Sequence, residues 1–136
     1  MTSKKFVKAF VSGMAFPAVF LPIAYSSLYM MEHRALTEHP IQFVPMFLPL
    51  AWGIANMIHT KVNDEARGKN LNKGLWVTGA VLGFLVAVVG IFMMHIPTMI
   101  FGELRGFEFA PLVVLPVVYG LLFRYIVKWL NKTLSV

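Results

Sequence analysis

The residues in this chain best suited to chemistry are few and sit mainly between apolar runs. The stretch EHRALTEH sets Glu32 beside His33 and Glu38 beside His39, while His95 and Glu103 belong to a second polar-marked segment further on. Imidazole and carboxylate suit zinc and similar divalent ions, which makes His33, His39 and His95 the candidate nitrogen ligands of a metal site. Their spacing matches no closed zinc motif and no helical HExxH. Solvated loop residues are therefore the simpler reading, and no cofactor is expected. Cysteine is absent, which excludes disulfides, thiolate catalysis and cysteine-ligated metals. No phosphate-binding glycine loop, dinucleotide fingerprint or serine nucleophile elbow occurs.

A second group draws attention because it interrupts apolar sequence. Asn56 and His59 stand three apart near the end of one apolar run, and Arg124 lies about six residues inside the end of another. A charge at bilayer depth costs about 2.5–3.5 kcal/mol on the insertion scale, so Arg124 must snorkel toward headgroups or serve a function. At a spacing of three, Asn56 and His59 share a helix face. They are expected to bond a neighbouring helix, to meet Arg124, or to touch a permeating species.

A short element, Leu-Pro followed by two apolar residues and an aromatic, occurs at 21–25, 48–52 and 115–119. Its prolines are Pro22, Pro49 and Pro116, and its aromatics Tyr25, Trp52 and Tyr119. Two copies extend further, PAVFLPIAYS and PLVVLPVVYG, which match at five of ten positions. A proline inside a helix removes one backbone bond and frees the carbonyl four residues earlier, here those of Ala18, Pro45 and Leu112. Counted from the expected helix ends, the three prolines share a depth of roughly 10–13 Å. Three kinks at one level would open an outward cavity lined by carbonyls and the three aromatics. Proline is also common in membrane helices for packing alone.

These residues need elements to hold them, and composition says which. The 136-residue chain is 58% hydrophobic and 13% charged, with mean hydropathy +0.72. That is about half the charged share of a soluble domain, and such a chain cannot cover itself with polar surface in water. The sequence predicts a single all-α membrane domain over 1–136, a four-transmembrane-helix bundle with proline-kinked helices at 9–31, 41–60, 74–96 and 109–130. The first run is longer than the h-region of a signal peptide, about 7–15 residues, and is expected to remain as a helix. A basic loop, 61–73, and two outer loops, 32–40 and 97–108, join the helices. The last of these mixes apolar residues with Glu103 and Arg105, as an interfacial segment does.

Orientation follows from basic residues, which gather on the cytoplasmic side. Lys4, Lys5, Lys8, Lys61, Arg67, Lys69, Lys73, Lys128 and Lys132 fall on one side, and in loops only Arg34 and Arg105 fall on the other. Both termini are thus expected in the cytoplasm. The net charge of +6 resides at helix ends and suits anionic lipid; nucleic acid is not expected as a partner. A bacterial inner membrane fits the short chain and strong charge bias.

Gly79, Gly83, Ala87 and Gly90 form a small-residue stripe on the third helix, of the kind that lets helix backbones approach closely. Four helices enclose little volume, so a solute path would form between copies. The first functional expectation is therefore a transport or channel-like protein acting as a homo-oligomer, with Pro22, Tyr25, Pro49, Trp52, Asn56, His59, Pro116, Tyr119 and Arg124 along its pathway. The alternative is an accessory or scaffold subunit of a larger membrane complex, docked through the glycine stripe. The third is a membrane-bound enzyme or metal-binding protein using the outer His and Glu residues.

Overall fold

The computed structural model describes residues 2–30, 47–65, 71–93 and 109–136, except the side chains at 28–29, 64–65 and 71–73. Where backbone groups face hydrocarbon they must bond within their own segment, and the described residues are helical almost throughout, with no strand among them. Helix α1 is Ser3–Met30, α2 is Leu48–Glu65 and α3 is Leu71–Val88, which continues as a π-helical turn, Val89–Met93. Helix α4, Pro111–Leu122, continues through a π-helical turn, Phe123–Val127, into α5, Lys128–Thr133. Pro111 opens α4 at a position where a missing N–H costs nothing. The last rod closes on left-handed Ser135 (φ 55°), with Val136 N–H donating to Asn131 O and Ser135 N–H to Lys132 O. Those two bonds make a Schellman ending.

Among the described residues, three segments are long and apolar enough to cross a membrane: Ser3–Ser27, Gly74–Met93 and Pro111–Thr133. Helix α2 does not reach that standard within its described length, because Lys61, Asn63, Asp64 and Glu65 occupy its last turns. Residues 41–46 of the expected second span lie outside the described residues, as do the loops 32–40 and 97–108. Helix α1 starts six residues before the expected 9, and the last rod spans Pro111–Thr133 against the expected 109–130.

The proline expectation changes in one respect. Pro49 is the second residue of α2, in the first turn, where no intrahelical bond is lost and no kink follows. Pro22 and Pro116 are interior, yet their helices continue past them without a break. The three prolines are therefore not equivalent: Pro22 and Pro116 lie inside helices and Pro49 at the start of one. Within the described rods the two π turns depart from α geometry, and neither holds a proline.

Neighbouring rods run antiparallel. Helices α1 and α2 pack closely, as do α3 and α4, while the α2–α3 seam is less extensive. The contacts are backbone-close. A Cβ placed on Gly13 would lie 2.5 Å from the Trp52 carbonyl oxygen and 3.0 Å from Gly53 Cα. One placed on Gly79 or Gly83 would collide with the carbonyl of Tyr119 or Leu115 respectively.

Burial on each rod recurs every four residues: Ala9, Gly13, Pro17; Trp52, Asn56, Thr60; Leu75, Gly79, Gly83, Ala87, Ile91. On the last rod Phe123 and Val127 continue the line. The α3 stripe thus passes to Ile91, not to Gly90, which is half-buried. Four residues turn an α-helix about 400°, so such a line drifts roughly 40° per step. A π turn, closed by i→i+5 bonds, takes up one more residue than an α turn and brings the line back.

The outward surfaces are apolar. Val19, Phe20 and Ile23 on α1, Val81, Phe84 and Leu85 on α3, and Val113, Val114 and Leu121 on α4 are all exposed. Inside lies a cluster of Trp52, Leu75, Phe123 and Val127, with Phe16, Leu82, Tyr119 and Leu122 packed against it.

Candidate functional site

The centre of the bundle is aromatic. Trp52 is 2% exposed and touches three rings: Phe123 at 4.7 Å between centroids, Tyr119 edge-on at 5.1 Å and Phe16 at 5.7 Å. The Trp52 indole N–H approaches the Tyr119 hydroxyl without meeting hydrogen-bond geometry, and is left without an acceptor among the described residues. Of the three aromatics in the repeated element, the fold brings together Trp52 and Tyr119. Tyr25 is half-buried and in ring contact with neither among the described residues. Pro22 is exposed, and its carbonyl accepts from Ser26 Oγ at 2.7 Å. Pro49 and Pro116 are half-buried.

One to two turns from Trp52 toward the end where α1 begins, the interior becomes polar. Asn56 is fully buried and donates through Nδ2 to the Ala9 carbonyl at 2.7 Å and to Asn131 Oδ1 at 2.8 Å. Asn131 returns a bond from Nδ2 to Asn56 Oδ1 at 3.1 Å, and its Oδ1 also accepts from Ser12 Oγ at 2.5 Å. Both amides are thereby satisfied, and three rods, α1, α2 and α5, are tied at one point. Interhelical side-chain bonds in membranes are worth about 0.6 kcal/mol on average and about 1.7 at most. The clamp is accordingly a modest stabiliser with strong geometric demands.

His59 stands one turn further along α2 and faces α3. It is 7% exposed, and its ring lies over Gly74, where a Cβ would sit 2.7 Å from Cε1. Its Nδ1 is 3.3 Å from Thr78 Oγ1, which itself donates to the Gly74 carbonyl at 2.8 Å. His59 Nε2 has no partner among the described residues. Thr60 Oγ1 donates back to the Asn56 carbonyl at 2.7 Å.

Arg124 does not join these groups. It is exposed, with its guanidinium 5.6 Å from the ring of its neighbour Tyr125, also exposed. The expected meeting with Asn56 and His59 fails because Arg124 follows buried Phe123 on the rod and points away from the core. His33, His39 and His95 lie outside the described residues. Among the described residues no group of three His, Cys, Asp or Glu is placed to hold a metal ion.

Sequence reasoning missed Ser12, Thr78 and Asn131. Asn131 falls just beyond the expected end of the fourth helix, at 130, whereas helix continues to Thr133. The signal available was its four-residue spacing from Tyr119, Phe123 and Val127. No protein-family model, curated protein or solved structure matches this chain.

Proposed function

We propose that this chain crosses the membrane four times as an up-down-up-down bundle, with both ends in the cytoplasm, and acts as a subunit of a larger membrane assembly. The observation that carries this reading is a centre filled by Trp52, Phe123, Tyr119 and Phe16 inside an outer surface that is apolar on several rods. Among the described residues these rings fill the axis of the bundle. What it presents is shape and apolar surface, which suit lipid and other membrane helices. The orientation is supported by Lys4, Lys5 and Lys8 at the start of α1, Lys61 late in α2, and Lys128 and Lys132 on α5. All belong to the end of the bundle where Ala9, Asn56 and Asn131 meet. A bacterial inner membrane remains the location that best fits this charge bias.

Native mass spectrometry of the detergent-solubilised chain tests the assembly. A stoichiometric second polypeptide or a discrete oligomer supports it, and a monomer at every detergent concentration refutes it. Because the chain lacks cysteine, single cysteines at Ser3 and Ser135 can be labelled with an impermeant maleimide. Labelling of both from the outer side of intact cells would overturn the orientation.

A second reading, solute transport by a homo-oligomer along a path between copies, is favoured by one observation. Ser12, Asn56, His59, Thr60 and Asn131 form a polar stretch in a chain with few such groups, and Asn131 is only half-buried. Its test is flux into liposomes: Asn131→Leu should reduce transport while leaving the oligomer intact.

A further inference from the structure

We infer that His59 is a proton-binding site, set by Thr78 in the Nδ1–H tautomer with its Nε2 lone pair left to accept. Thr78 carries one hydroxyl hydrogen, and the 2.8 Å bond to the Gly74 carbonyl uses it. Toward His59 its oxygen can then only accept, so the hydrogen in the 3.3 Å contact belongs to Nδ1. A neutral imidazole protonated at Nδ1 is bare at Nε2. That atom is buried and has no donor among the described residues. An unsatisfied buried acceptor is unfavourable.

An imidazole lone pair takes a proton or a metal ion. No group of three His, Cys, Asp or Glu includes it among the described residues, and a single nitrogen makes a poor metal site. The proton is therefore the occupant. From α3 the groups facing the ring are Gly74 and Thr78, both uncharged. On α2 its neighbours are Asn56, Thr60 and exposed Lys61. Asp64 and Glu65 come later on α2 and Lys73 just before Gly74 on α3, with side chains outside those described. Proton transfer from hydronium converts Nε2 to a donor, releases water and puts one positive charge in the less extensive α2–α3 seam. Nδ1–H stays on Thr78 throughout, so the ring binds its proton without turning over. The charged ring then loosens the seam at Gly74.

The inference does not depend on the number of membrane crossings, and its test reads the ring directly. The full-length protein labelled with 15N-histidine is titrated in detergent micelles, the His59 signals being those lost in His59→Asn. At neutral pH the expected pattern is a protonated Nδ1 and a bare Nε2. On acidification Nε2 becomes protonated in one step, and the Gly74 and Thr78 amides shift with the same midpoint. In Thr78→Val, similar in shape but without an acceptor, the neutral ring should populate both tautomers. A neutral ring protonated at Nε2, a ring that never titrates while the protein stays folded, or a Thr78→Val protein with a pure Nδ1–H tautomer would each overturn the proposal.

Discussion

Asn56 on α2 and Asn131 on α5 exchange two amide hydrogen bonds, at 2.8 and 3.1 Å, across the interior of the bundle. Each amide also reaches α1, one at the Ala9 carbonyl and the other at the Ser12 hydroxyl. A single side chain lost from this set leaves partners unmatched, among them the fully buried Ser12 or Asn56. Replacing Asn56 by Leu should therefore cost about 1–3 kcal/mol, and Asn131→Leu a similar amount. The double variant should cost less than the sum by about 1 kcal/mol, since the second loss removes a group already unpaired. Equilibrium unfolding of the four proteins in mixed micelles measures the coupling, and strict additivity would show that the pair is not formed.

The glycines of α1 and α3 make a second, independent prediction. Gly13→Ala, Gly79→Ala and Gly83→Ala each drive a methyl group into a neighbouring backbone carbonyl. Backbone cannot rotate aside as a side chain does, so each should destabilise by about 1–3 kcal/mol. Gly90→Ala serves as the control, because no described neighbour crowds its Cβ position, and there the better helix propensity of Ala should show instead. Thermal midpoints in one detergent suffice for the comparison, and equal effects at Gly83 and Gly90 would contradict the packing.

Trp52 and Tyr25 hold equivalent places in the repeated element but unequal places in the fold. Trp52→Ala empties the aromatic centre and should cost about 3–5 kcal/mol. Tyr25→Ala should cost under about 1 kcal/mol, since this ring has no stacking partner among the described residues. A large effect at Tyr25 would restore the idea that the repeated elements act together.

The π turn Phe123–Val127 carries the last rod's buried line from Tyr119 to Asn131. Deleting Ile126 removes the extra residue, so the turn should revert to plain α-helix while Asn131 keeps its face. Adding Asn56→Leu to the deletion should then cost about as much as Asn56→Leu in the full chain. A clearly smaller cost in the deletion background would mean that the π turn does not absorb the extra residue.

The amino-acid sequence by itself determined the helical class, the three apolar spans and the gathering of lysines at helix ends, because each depends on composition along the chain and on the demand that backbone be bonded in lipid. It marked Asn56, His59 and the Gly79–Gly83 spacing as worth explaining, since polar groups and repeated small residues stand out in an apolar run. It did not mark which way each helix faces. A membrane helix is apolar on all sides, so hydrophobic periodicity, the usual guide to an inner face, has nothing to distinguish. Tertiary structure decided that Gly79 and Gly83 lie against the carbonyls of Tyr119 and Leu115, that Pro49 starts a helix, and that Arg124 points outward while Asn131 points in. The inward place of Asn131 depends on the π turn Phe123–Val127, which takes up one residue more than an α turn and holds the four-residue line on one face.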